Sequence, residues 1–178
     1  MMETKKLILS AMFIAIGVLL PILTAGIPEI GMMLLPMHIP VMLAGLILGT
    51  RYGLLVGIIV PLLRSFIFAV PTFMPMAISM AFELGTYGLV IGLVYAISNN
   101  KNVVSLYISM IVAMIIGRIV WGIAMFVLVV SINGGIFTFN AFWMGAVVNA
   151  VPGIVLQLVL IPVIMLALGR ARVVKFPN

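Results

Sequence analysis

Long apolar runs, interrupted by short polar or Gly/Pro-rich punctuation, repeat from one end of the chain to the other. Runs of roughly 20 apolar residues are what a helix needs to cross a bilayer. Breakers divide the chain into six such helices. The first covers about Lys6 to Leu23, followed by the segment "TAGIPEIGMMLLPMH". The second starts near Ile39, with Pro40 in the first turn where a missing N–H costs nothing, and ends near Thr50. "RYG" reads as a tight turn, and the third helix continues to about Ala69. "VPTFMP" is a short loop, the fourth helix covers about Met76 to Ser98, and "NNKN" closes it. A fifth helix covers about Val103 to Ser131, "INGGIFTFN" is a loop, and the sixth covers about Ala141 to Leu168. The second helix is short: about 12 residues rise only about 18 Å, so it needs cover from neighbouring helices or from the preceding "MMLLPM".

Composition changes this picture only by sharpening it. The chain of 178 residues is 66% hydrophobic and 7% charged, against about 25% charged in soluble domains, and its mean hydropathy is +1.46. One all-α integral membrane domain over residues 1–178 is the expected architecture. The first apolar run follows Lys5 and Lys6 as a signal peptide would, but it has no small-x-small cleavage pattern or polar end. It reads as a retained helix. There is no cysteine, which excludes disulfides, thiolate metal sites and a cysteine nucleophile.

The net charge of +6 would suggest nucleic acid in a soluble protein. Here the positions of the cations explain it instead. With six helices, Lys5, Lys6, Arg51, Lys101, Arg170, Arg172 and Lys175 fall on one side, and the three opposite loops hold no Lys or Arg. By the positive-inside rule both termini are expected in the cytoplasm.

Small residues recur four apart: Ala11 and Ala15, Gly45 and Gly49, Gly53 and Gly57, Gly88 and Gly92. Such pairs let helix backbones approach closely in lipid, within the bundle or against another protein.

A charged side chain at membrane depth costs from about 2.5 kcal/mol upward and usually faces a partner or a cavity. The run "GIIVPLLRSFIFAVP", Gly57 to Pro71, carries one such charge, Arg64. The others are Glu83, with Tyr87 one turn along, and Arg118, with Trp121 one turn outward. Asn149 is an uncharged addition, just before Pro152 and Gly153, and Gln157 is alone in the inner half. By helical rise, Arg64, Glu83 and Asn149 fall within roughly 8–13 Å of the outer surface, and Arg118 is deeper. Glu83 and Arg118 form a neutralising pair, or at least one arginine faces an anionic group of a ligand. Snorkelling of Arg64 to the interface accounts equally for the extra cation. His38, the single histidine, reads as a cap or loop contact before the second helix. Trp121, Trp143 and Tyr87 suit packing or interface anchoring, and the 15 methionines suit space-filling. Met32, Met33 and Met37 together suit an adaptable apolar lid.

No phosphate-binding loop is present, so this chain does not hydrolyse ATP unaided. No H-E-x-x-H or carboxylate cluster suggests a metalloenzyme. A lipid-modifying enzyme would have only Glu29 and His38 near the interface, and a structural subunit of a membrane complex is the remaining alternative.

Several stretches together resemble the substrate-binding (S) components of energy-coupling factor (ECF) vitamin transporters. They are "SAMFIAIG" with its alanine pair, "LPMHIPVMLAGLILGTRYG", and "IIVPLLRSFIFAVPTFMPMAISMAFELGTYGLVIGLVYA". The resemblance implies a six-helix, multi-pass subunit of the bacterial plasma membrane that captures a vitamin from outside. It implies no enzyme activity, no cofactor, no metal and no nucleic acid. Ala11 and Ala15 would dock on a transmembrane coupling protein that is joined to two ATPase subunits. "TAGIPEIGMMLLPMH" would form the lid over the ligand. Arg64, Glu83, Tyr87, Arg118, Trp121, Asn149 and His38 are the expected substrate-binding residues. Two buried arginines favour an anionic vitamin, and the chain resembles members assigned to pantothenate. Pyridoxine or another neutral vitamin precursor is the alternative.

Overall fold

A computed structural model describes residues 3–23, 33–132, 134–171 and 174. The described residues form helices and connections, with no strand among them. They are α1 (Glu3–Leu23), α2 (His38–Leu48), α3 (Thr50–Phe68), α4 (Ile78–Ile97), α5 (Val103–Phe126), α6 (Phe139–Trp143) and α7 (Val151–Arg170). A kinked turn with Met74 extended leads into α4 (Phe73–Ala77), and wider π-helical turns extend α5 (Val127–Ile132) and follow α6 (Met144–Val148).

Five helical stretches are long and apolar enough to cross a membrane: Glu3–Ile22, Thr50–Phe68, Phe73–Ile97, Val103–Val130 and Phe139–Arg170. Their outer faces expose large apolar side chains such as Leu7, Ile8, Phe66, Val104, Ile123 and Val159. Water does not tolerate such continuous apolar cover on a monomer, whereas lipid does. The chain is an integral membrane protein.

The sixth apolar helix, α2, has 11 residues and is too short to cross alone. It is also the most enclosed, for only Ile47 of its residues is not buried. α1, α3 and α4 pack around it, and α7 touches it as well. Neighbouring helices supply the cover that its length denies it.

Two expected boundaries are corrected. The break after α2 falls at Gly49 and not at "RYG", since Arg51, Tyr52 and Gly53 are already helical in α3. Gly49 has φ +95°, a conformation that L side chains avoid. The last span is not continuous either: turn residues Asn149 and Ala150 divide the segment before α7. Pro152 then lies in the first turn of α7, where it cannot break a helical hydrogen bond.

Glycine contacts hold the centre together. A Cβ on Gly45 would come 2.5 Å from the Gly88 carbonyl oxygen, and one on Gly53 would run into the same atom. A Cβ on Gly57 would meet the Leu84 backbone, and one on Gly92 would lie 2.8 Å from the Thr50 nitrogen. α2 and α3 therefore approach α4 almost backbone to backbone. In lipid no hydrophobic effect drives helices together, so this close van der Waals contact supplies the adhesion. Of the small-residue pairs, Gly53/Gly57 and Gly88/Gly92 pack inside the bundle. Gly49 meets nothing within 4 Å, and Ala11 and Ala15 are exposed on α1.

At one end of the bundle, Tyr52 donates to the Glu3 carboxylate, and Lys6 lies 3.7 Å from Glu3. This brings the starts of α1 and α3 together. Lys101 donates to the Tyr95 and Ala96 carbonyls, which closes the end of α4. Arg172 and Lys175 lie outside the described residues.

Candidate functional site

α2, α4 and α5 bring four of the expected residues to one place. Arg118 Nη1 lies 3.1 Å from Glu83 Oε1 as an ion pair, and His38 Nε2 lies 3.5 Å from the same oxygen. The side chains are enclosed: 1% exposed for His38, 3% for Glu83 and 13% for Arg118. The His38 ring meets Tyr87 edge-on, with centroids 5.2 Å apart. Tyr87 stands one turn beyond Glu83, and its buried hydroxyl has no hydrogen-bond partner among the described residues.

His38 therefore departs from the capping role expected of it. As the first residue of α2 its backbone N–H donates to the Leu35 carbonyl, while its ring turns into the bundle. α2 is enclosed on every side, so a polar residue at its start has to find a polar partner in the core.

Glycine makes room for the cluster. A Cβ on Gly117 would overlap the Tyr87 ring and come 3.3 Å from the Glu83 carbonyl. The sequence reading missed Gly117; its signal was a glycine beside a buried arginine.

Several polar atoms of this cluster are sealed from solvent and lack a hydrogen-bond partner among the described residues. They are His38 Nδ1, Tyr87 Oη, Arg118 Nε and Arg118 Nη2. Buried polar groups are nearly always paired, so four orphans in one cluster mark a place where something polar belongs. The two arginine atoms form one edge of the planar guanidinium, the edge that offers a carboxylate two parallel N–H groups.

The remaining expected residues lie elsewhere. Arg64 Nη1 donates to the Val18 carbonyl at 3.0 Å, and its guanidinium lies over the Phe68 ring. This joins α3 to α1. Trp121 packs with Met125 and Ala146 in a separate apolar cluster, bordered by Phe137 and Phe142. Trp143 is exposed against Phe139. A groove of about 440 Å³ beside that cluster is walled by residues such as Ile119, Ile123, Phe126 and Phe142. Asn149 is exposed at the break before α7. Gln157 is buried on α7, with its amide nitrogen lacking a partner among the described residues. Glu29, Met32 and most of the expected lid, residues 24–32, lie outside the described residues. Of the lid methionines within them, Met33 is exposed and Met37 buried. No group of three or more metal-ligating side chains occurs among the described residues.

A membrane-embedded helical bundle with a charged cluster sealed inside it defines a class, that of polytopic membrane proteins with an internal polar site. The family follows from comparison: the model for the ECF transporter, substrate-specific component, matches residues 5–165. The chain belongs to that family, whose members are transporter subunits and not enzymes. They bind vitamin-type substrates and pair with a module of transmembrane and ATPase subunits. No curated protein and no solved structure matches the chain significantly.

Proposed function

We propose that the chain captures pantothenate from outside the plasma membrane, and that Arg118 holds its carboxylate. The observation that carries this reading is the unpartnered Nε–Nη2 edge of Arg118. Glu83 occupies Nη1, which orients the guanidinium and leaves the two-donor edge for a ligand. Tyr87 and His38 supply the neighbouring polar atoms that a hydroxylated, amide-containing molecule uses. In this reading six helices cross the membrane with both termini cytoplasmic, α2 being the short one. The exposed Ala11 and Ala15 then give α1 a smooth face for a transmembrane coupling protein carrying two ATPases.

Titration of a vitamin panel into the purified protein tests the reading. Pantothenate should bind, and Arg118→Ala should weaken it by about 100-fold, the effect of losing a charge-assisted pair worth roughly 2.7 kcal/mol. Equal affinity of wild type and variant would exclude Arg118 as the anchor. Preference for pyridoxine over every anionic vitamin would exclude the substrate.

A further inference from the structure

The Glu83–Arg118 pair is already charge-balanced before a ligand arrives. A carboxylate placed on the free edge of Arg118 brings a second negative charge against one fixed cation. Burying an uncompensated charge is strongly unfavourable, so the filled site is balanced by one added proton.

The charged and titratable groups around the cluster are few. From α4 come Glu83 and Tyr87, and from α5 Arg118. On α3, Arg64 is bound to the Val18 carbonyl of α1, and Arg51 and Tyr52 lie at the other end of that helix. The charged residues of α1 (Glu3, Lys5 and Lys6) stand at its start beside Tyr52. α7 carries only Arg170, in its last turn. Among the described residues at the cluster, Glu83 and His38 can take that proton; Glu83 already has the Arg118 cation at 3.1 Å, whereas His38 Nδ1 has no partner, which singles out His38.

Its geometry suits that change. Nε2 lies 3.5 Å from Glu83 Oε1, so a neutral ring carrying its proton on Nε2 presents Nδ1 as a bare acceptor. Nδ1 has no partner among the described residues. A proton there converts it into a second donor and makes the ring a cation. We propose that His38 takes up a proton when a carboxylate ligand binds at Arg118, so that ligand and proton enter the site together. This rests on the reading that an anion is held at Arg118. The proton comes from solvent and ends on Nδ1, and no bond of the ligand changes.

Linkage sets the sign. Uptake of one proton makes affinity fall as pH rises, approaching about tenfold per pH unit once the ligand-free imidazole is neutral. The window to be tested is about pH 5–8.

The experiment is calorimetric titration in buffers of different ionisation enthalpy, across that window. The probes are pantothenate and pantothenyl alcohol, in which a neutral CH2OH replaces the carboxylate. Pantothenate should bind with uptake of up to one proton, and the alcohol with none. His38→Gln should flatten the pH profile of pantothenate binding. Should that variant fold poorly, the wild type still reports, because His38 is the single histidine of the chain. The 15N shifts of its ring should change from neutral to imidazolium on adding pantothenate at a pH where the free ring is neutral. Pantothenate binding with no buffer-dependent heat anywhere in the window overturns the proposal and leaves the substrate reading intact. If biotin or nicotinate binds with proton uptake while pantothenate does not, the substrate reading fails and the proposal stands. If no carboxylate binds, both fail.

Discussion

Gly53 and Gly88 touch backbone to backbone. The carbonyl oxygen of each occupies the space that a Cβ on the other would fill. This contact locks α3 against α4, the helix that carries Glu83 and Tyr87. The charged cluster thus stands on a closely packed part of the described bundle, which holds its side chains in place.

Gly88→Ala should consequently lower stability by about 1–3 kcal/mol, the usual cost of overpacking a tight contact. Gly49→Ala provides the contrast. Nothing crowds that position, but its φ of +95° with ψ of 177° strains any residue with a Cβ, by about 1–3 kcal/mol. Thermal unfolding in detergent compares the two; a neutral Gly88→Ala would show that the helices can part without loss.

Glu83→Ala should destabilise more, by about 3–5 kcal/mol, because it leaves Arg118 as an unpaired charge among apolar side chains. Adding Arg118→Met to that variant should recover much of the loss, since it removes the stranded charge. Unfolding curves for the two variants decide; no recovery in the double variant would mean that the ion pair is not the source of the cost.

Tyr87 lies directly on Gly117, so Gly117→Ala has to push the ring away. That movement disturbs Glu83 and Arg118 on either side. Ligand affinity should fall by at least about tenfold, about 1.4 kcal/mol, with a smaller loss of stability. Paired titration and unfolding measurements check this; loss of stability with unchanged affinity would place the ligand away from Tyr87.

Arg64 should behave in the opposite way. Its hydrogen bond to Val18 ties α3 to α1 in a partly exposed setting, where Arg64→Gln should lower stability by about 1 kcal/mol. Ligand affinity should stay within about threefold. Titration of this variant beside Arg118→Ala separates the two arginines, and a large affinity loss at Arg64 would move the anionic site to α3.

The composition and the spacing of breakers carried most of the helical architecture. These are local properties: lipid demands about 20 apolar residues per crossing, and Gly, Pro and charge mark where each crossing stops. The shortlist of intramembrane polar residues was legible for the same reason, because Glu83 and Arg118 are conspicuous in apolar surroundings. Membership of the cluster was not. His38 and Glu83 are 45 positions apart, and nothing at either position names the other.

Rotation of the helices was equally hidden. Helices that are apolar all round have no polar face to mark which side turns inward, so packing against neighbours sets it. The sequence alone could therefore establish a membrane bundle and its few buried polar groups. Tertiary structure closed the Glu83–Arg118 pair and left Arg64 on the Val18 carbonyl, moved the helix break to Gly49, and turned His38 inward. It did so through the glycine contacts, which press α2 and α3 onto α4 and leave no alternative register for the side chains between them.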